Sequence, residues 1–174
     1  MTQKRNIKGL SRFLFLISGG LLILLPIISV VIWLKIDLLI GFMERPYDTT
    51  TFTIKTQALG MLFSLLPLSI WMFGLYNLRR LFKNYMAERI FLEENAKYIK
   101  RFAWVNIIGG GLSPFISGVF TIILSMNHAV GERFLALDLG TAEVHIILLG
   151  LIFVVIANVM ADAHSLSKEN DQFV

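Results

Sequence analysis

The chain has 174 residues, of which 56% are apolar (AVILMFWYC) and only 16% charged, with a net charge of +4. Soluble domains carry roughly 45–50% apolar and about 25% charged residues, and a core of this size cannot bury such an apolar excess, so a soluble globular fold is excluded. There is no cysteine, which removes disulfides, thiolate metal sites and cysteine nucleophiles. The basic residues sit beside apolar runs, so anionic lipid and topology account for them, and direct nucleic-acid binding is not expected.

Lys4, Arg5, Lys8 and Arg12 precede an apolar run from Phe13 to Leu34. At about 1.5 Å per residue this run reaches roughly 33 Å, enough to cross hydrocarbon. It is too long for the apolar part of a signal peptide and no cleavage signature follows it, so it reads as a retained helix. A polar stretch from Lys35 to Thr56 leads to a second span, 57–78. A charged connector, 79–101, leads to a third span, 102–126. A short polar loop, 127–141, then precedes a fourth span, 142–161, and a polar tail. Each span must be helical, because an isolated strand would leave its peptide groups unpaired in lipid. The pattern predicts an all-α polytopic membrane protein: one domain over 1–174, a bundle of four transmembrane helices with cytoplasmic helical extensions.

Lys and Arg number twelve across the N-terminus, the connector and the tail, against four in the other two loops. The positive-inside rule therefore places both termini and the connector in the cytoplasm. Trp33, Trp71, Trp104 and Tyr76 suit interfacial anchoring, and Pro26, Pro67 and Pro114 are expected to kink their spans.

Within the third span, Gly109, Ser113, Ser117, Thr121 and Ser125 recur every four residues and form a ridge of small side chains. Gly110, Pro114 and Gly118 form the adjacent row. Such ridges let helices pack closely, within one chain or between copies. Asn158 and Asp162, one turn apart on the fourth span, are the intramembrane polar pair. A structural clasp, with Asp162 reaching water, Arg79, Arg80 or Arg101, is favoured over an ion site. Glu143 and His145 diverge on their helix. With His128 and His164 they match no metal motif, and neither a nucleophile elbow nor a phosphate loop appears. No metal, cofactor or enzymatic activity is expected.

The connector is predicted to continue the second span through Tyr85, turn at 86–89, and start a new helix at Phe91, with Glu93–Lys97 as a favourable i,i+4 pair. The segment from Tyr85 to Phe102, with Ile90-Phe91, an acidic residue and Asn95, and the end from Ala161 to Val174, with Leu166 and then Glu169-Asn170-Asp171, resemble two patterns of one bacterial four-span family, domain of unknown function 2975. That family usually has Gly before the Ile-Phe pair and Ser or Thr after it. Here Glu88-Arg89 and Leu92 stand in those neighbourhoods. Loss of a capping hydroxyl costs about 1 kcal/mol, so this helix is expected to start by other means. The resemblance implies a cytoplasmic-membrane protein of unknown activity whose genes neighbour small helix-turn-helix regulators.

The leading expectation is a bacterial inner-membrane regulatory or adaptor protein. It would engage a cytoplasmic partner, such as a helix-turn-helix regulator, through Glu93, Glu94, Asn95, Glu169, Asn170 and Asp171. The alternative is a small permease or channel, homo-oligomeric along the Gly109–Ser125 ridge, with Asn158 and Asp162 on its path.

Overall fold

A computed structural model describes residues 2–36 and 47–170, with side chains described for 7–36 and 47–166 except residue 49. Asp171 lies outside the described residues. Glu169 and Asn170 lie on a described helix, but their side chains do not belong to the described part. The described residues are helical and contain no strand: α1 (Thr2–Leu34), a 3-10 turn (Thr49–Thr51), α2 (Ile54–Met86), α3 (Glu93–Ser125) and α4 (Thr141–Asn170). All four α-helices are long and apolar enough to cross a membrane, and together they define a multi-pass membrane protein. Each helix begins at or ahead of the expected apolar span and continues unbroken through Pro26, Pro67 or Pro114 where it carries one.

The inside and the outside are exchanged relative to a soluble domain. Among the described residues ten polar side chains are buried beside nine apolar ones, while Ile23, Leu62 and Val159 are more than 60% exposed. Lipid tails give apolar groups no reason to leave the surface, so small and hydrogen-bonding residues hold the helices together. Extensive packing joins α1 to α2, α2 to α3, and α3 to α4. Two apolar clusters tie this row at its ends. Trp33 and Ile36 meet Leu124, with Phe52, Met61 and Phe120 around them, at the loop end of α1, α2 and α3. Leu81, Ile99 and Ala157 meet at the connector end of α2, α3 and α4.

Trp33 is buried instead of anchoring at an interface. Its ring stacks on Phe120 at 5.9 Å and lies over Gly60, where a Cβ would overlap it. The α3–α4 crossing is equally close at Gly150, where a Cβ would stand 2.8 Å from the Ala103 carbonyl oxygen. On the connector side, Lys8 pairs with Glu88 at 3.8 Å and Lys100 donates to Asn158 Oδ1 at 3.1 Å. These two contacts put the start of α1, the α2–α3 turn and the second half of α4 on one side of the molecule.

Gly150→Ala forces a methyl against backbone and should destabilise the α3–α4 pair by about 1–3 kcal/mol. Gly20→Ala, where a Cβ meets nothing within 4 Å, should be neutral or stabilising. Unfolding midpoints of the two variants in detergent would show this opposite ordering.

Candidate functional site

The connector is a tight helical hairpin. α2 runs to Met86 and closes with both bonds of a Schellman cap: Arg89 N–H donates to Asn84 O at 3.0 Å and Glu88 N–H to Tyr85 O at 3.1 Å. Glu88 occupies the left-handed position of this cap with φ +60°, a place glycine usually takes. The start of α3 is indeed built by other means than a capping hydroxyl. Leu92 at its N-cap makes no side-chain bond. Asn95 instead reaches back, its amide nitrogen donating to Arg89 O at 2.7 Å and Ile90 O at 2.8 Å while its oxygen accepts from Asn84 Nδ2 at 2.8 Å. Asn95 is 0% exposed, so it fastens the hairpin from inside and presents nothing to a partner. Glu93 and Glu94 stand exposed in the first turn, Glu93 bonded to Lys97 at 2.7 Å as the spacing predicts. Phe91, at the tip, is 80% exposed.

The ridge on α3 holds a partner that the sequence reading did not anticipate. The loop before α4 was expected to be short and polar. It contains the largely apolar segment Phe134-Leu135-Ala136-Leu137-Asp138, laid along the ridge with no strand partner among the described residues. Ser125 Oγ accepts from Phe134 N–H at 3.3 Å, Thr121 Oγ1 from Ala136 N–H at 3.1 Å, and Ser117 Oγ from Asp138 N–H at 3.4 Å. The match is geometric. Hydroxyls four residues apart on a helix repeat about every 6 Å, and alternate peptides of an extended chain repeat about every 6.6 Å. The same hydroxyls donate to helix carbonyls, Thr121 to Gly118 O and Ser125 to Thr121 O. Gly118 lies under Leu137 and Leu135, where a Cβ would stand 2.7 and 3.1 Å from their side chains. From Ser117 to Ser125 the ridge therefore packs this chain's own extended segment. Leu135, Leu137 and Leu139 still leave about 60% of their surface exposed. The signal for this was the run of apolar residues in a loop assigned as polar.

Ser113, next on the ridge, donates to Glu143 Oε1 at 3.2 Å, and Gly140 N–H donates to Oε2 at 2.9 Å. At the other end, Asn127 Nδ2 donates to Thr56 Oγ1 at 2.9 Å, Thr51 O at 3.2 Å and Thr53 Oγ1 at 3.3 Å, tying the end of α3 to the start of α2. In the adjoining turn, the Thr50 hydroxyl and backbone N–H hold the Asp48 carboxyl below its ordinary pKa.

Two cavities flank this assembly. One, of about 600 Å³, is bounded by α1, α2 and α3 and lined mainly by apolar residues including Leu25, Trp33, Trp71 and Phe120. The other, of about 240 Å³, is lined by Gly109, Ser113 and Glu143 together with Trp71 and Phe120. Pro67, Trp71 and Phe120 line both cavities. Asn158 and Asp162 line neither. Asn158 is exposed and clasps Lys100 across α3 and α4. Asp162 is exposed, while Arg79 is engaged by the Phe15 carbonyl and ring and Arg80 by Tyr76.

This chain is thus an all-helical protein with four membrane-spanning candidates, a fastened hairpin on one side and a hydroxyl-held segment on the other. Within that class its family can be stated. The model for the family described as "Protein of unknown function (DUF2975)" matches residues 25–174, and the chain belongs to that family. No curated protein and no solved structure matches it.

Thr121→Val keeps the shape but removes the acceptor for Ala136 N–H. It should destabilise the protein by about 1–3 kcal/mol, the cost of an orphaned buried group, whereas Thr121→Ser should be close to neutral. Unfolding midpoints of both variants in detergent would check the pair.

Proposed function

We propose that the protein is a non-enzymatic adaptor of the bacterial cytoplasmic membrane. In this reading both ends and the α2–α3 hairpin lie in the cytoplasm, and the hairpin docks a soluble partner. The positive-inside count supports that orientation. The contact Lys8–Glu88 and the clasp Lys100–Asn158 gather the N-terminal part, the hairpin and the end of α4 on the side that carries it.

The observation that carries the docking role is the fixed display of Phe91. An aromatic ring that is 80% exposed, flanked by exposed Glu93 and Glu94, sits on a turn whose backbone is held by the buried Asn95. A rigid aromatic anchor with a charged rim is what protein interfaces use for affinity and orientation, and a preorganised turn loses little entropy on binding. Glu169, Asn170 and Asp171 would extend the surface from the end of α4. A helix-turn-helix regulator is the class of partner that the family resemblance suggests.

Transport through a path containing Asn158 and Asp162 is less well supported, because the two residues line neither cavity.

A tagged protein in gently solubilised native membranes should bring down a stoichiometric soluble partner. Replacing Phe91, Glu93 and Glu94 together by Ala should abolish its recovery without changing insertion or expression. Unchanged recovery would contradict the docking surface.

A further inference from the structure

The two cavities have a charge character that the adaptor reading does not use. Of their lining residues only Asp138 and Glu143 are charged; both are acidic, and none is basic. The Glu143 carboxylate accepts hydrogen bonds from Ser113 Oγ, Gly140 N–H and its own backbone N–H, and no ion pair compensates it among the described residues. Each carboxylate oxygen has capacity for a further donor after these bonds. The same small cavity is lined by Trp71, Phe120 and Gly109, and a Cβ at Gly109 would meet nothing within 4 Å.

A carboxylate beside an indole and a phenyl ring is the pairing that holds an organic ammonium group, since ring faces attract a cation that has lost its water. A metal ion would require more oxygen ligands than one carboxylate and one hydroxyl. The adjoining large cavity, at about 600 Å³ and almost wholly apolar, falls within the usual range of ligand pockets, about 300–1,000 Å³. It shares Trp71 and Phe120 with the small cavity.

We propose that the paired cavities form a binding site for an amphipathic organic monocation. Its ammonium group sits against Glu143, Trp71 and Phe120, and its apolar tail runs into the groove between α1, α2 and α3. Gly109 leaves room for the head group, and Ser113 and Gly140 aim the carboxylate. This site is on the opposite side of the molecule from the hairpin and does not depend on the adaptor reading.

The test is a tryptophan-fluorescence titration of the full chain in neutral maltoside micelles, with dodecyltrimethylammonium as probe. Saturable binding is expected, weakened at least about tenfold by Glu143→Gln and by Gly109→Leu, and unaffected by Asp162→Asn. Gly109→Leu fills the cavity while leaving the carboxylate in place, so it decides the matter should Glu143→Gln fail to give a monodisperse protein. Dodecyldimethylamine oxide, with the same tail and no net charge, should bind at least about tenfold more weakly. Equal affinity for both probes, or undiminished binding in Gly109→Leu, would overturn the proposal and leave an apolar groove that accepts any tail. Lipid analysis of the purified protein separates the remaining source of the same chemistry. An ethanolamine lipid retained stoichiometrically by the wild type and lost in Glu143→Gln would identify a lipid headgroup and overturn the soluble cation.

Discussion

Every peptide group that enters an apolar phase must find a partner, because water is not there to supply one. Four helices meet that requirement by themselves. The extended segment before α4 has no partners within itself, and side chains supply three of them: Ser117, Thr121 and Ser125 of α3 accept from the alternate peptides of Asp138, Ala136 and Phe134. Much of the loop half of the molecule follows from this arrangement. The segment carries the chain about 12 Å along α3, the distance from Ser125 to Ser117, before α4 begins beside Ser113. That starting level is what brings Glu143 to Ser113 and to the cavity lined by Trp71 and Phe120.

The hairpin half obeys the same rule by a different device. Breaking α2 and restarting α3 frees carbonyls at Arg89 and Ile90, and a single buried amide, Asn95, satisfies both while bonding to Asn84 on the opposite arm. The tip then needs no further support, so Phe91, Glu93 and Glu94 are left to face outward. The two halves are joined by close helix crossings, where Gly60 admits the ring of Trp33 and Gly150 admits the Ala103 backbone. Small residues at these crossings and hydroxyls on the ridge do the work that apolar side chains do in water.

The four spans were legible because twenty-odd consecutive apolar residues have few other uses, and the helix bounds moved by only a few residues outside the charged ends. The i,i+4 pair Glu93–Lys97 was equally local and equally visible. The four-residue recurrence of Gly109, Ser113, Ser117, Thr121 and Ser125 was visible too, but not its use. Hydropathy treats a ridge as something that awaits a helix, while the matching two-residue repeat of an extended chain lies in a loop with no periodicity to announce it. Asn95 stood out in the connector for its motif. Its burial depends on Asn84, eleven residues earlier, and on a left-handed Glu88 that no propensity predicts. Glu143 was dismissed from its spacing to His145, because the residues that give it meaning, Ser113 and Trp71, are far away in sequence.

The most direct test of the hydroxyl-held segment is residue-resolved amide hydrogen exchange over 134–138 in detergent, in the wild type and in Thr121→Val. Slow exchange is expected at Phe134, Ala136 and Asp138, faster exchange at Leu135 and Leu137, and loss of protection centred on Ala136 in the variant. Uniformly fast exchange across the segment, or an Ala136 amide indifferent to Thr121, would contradict it.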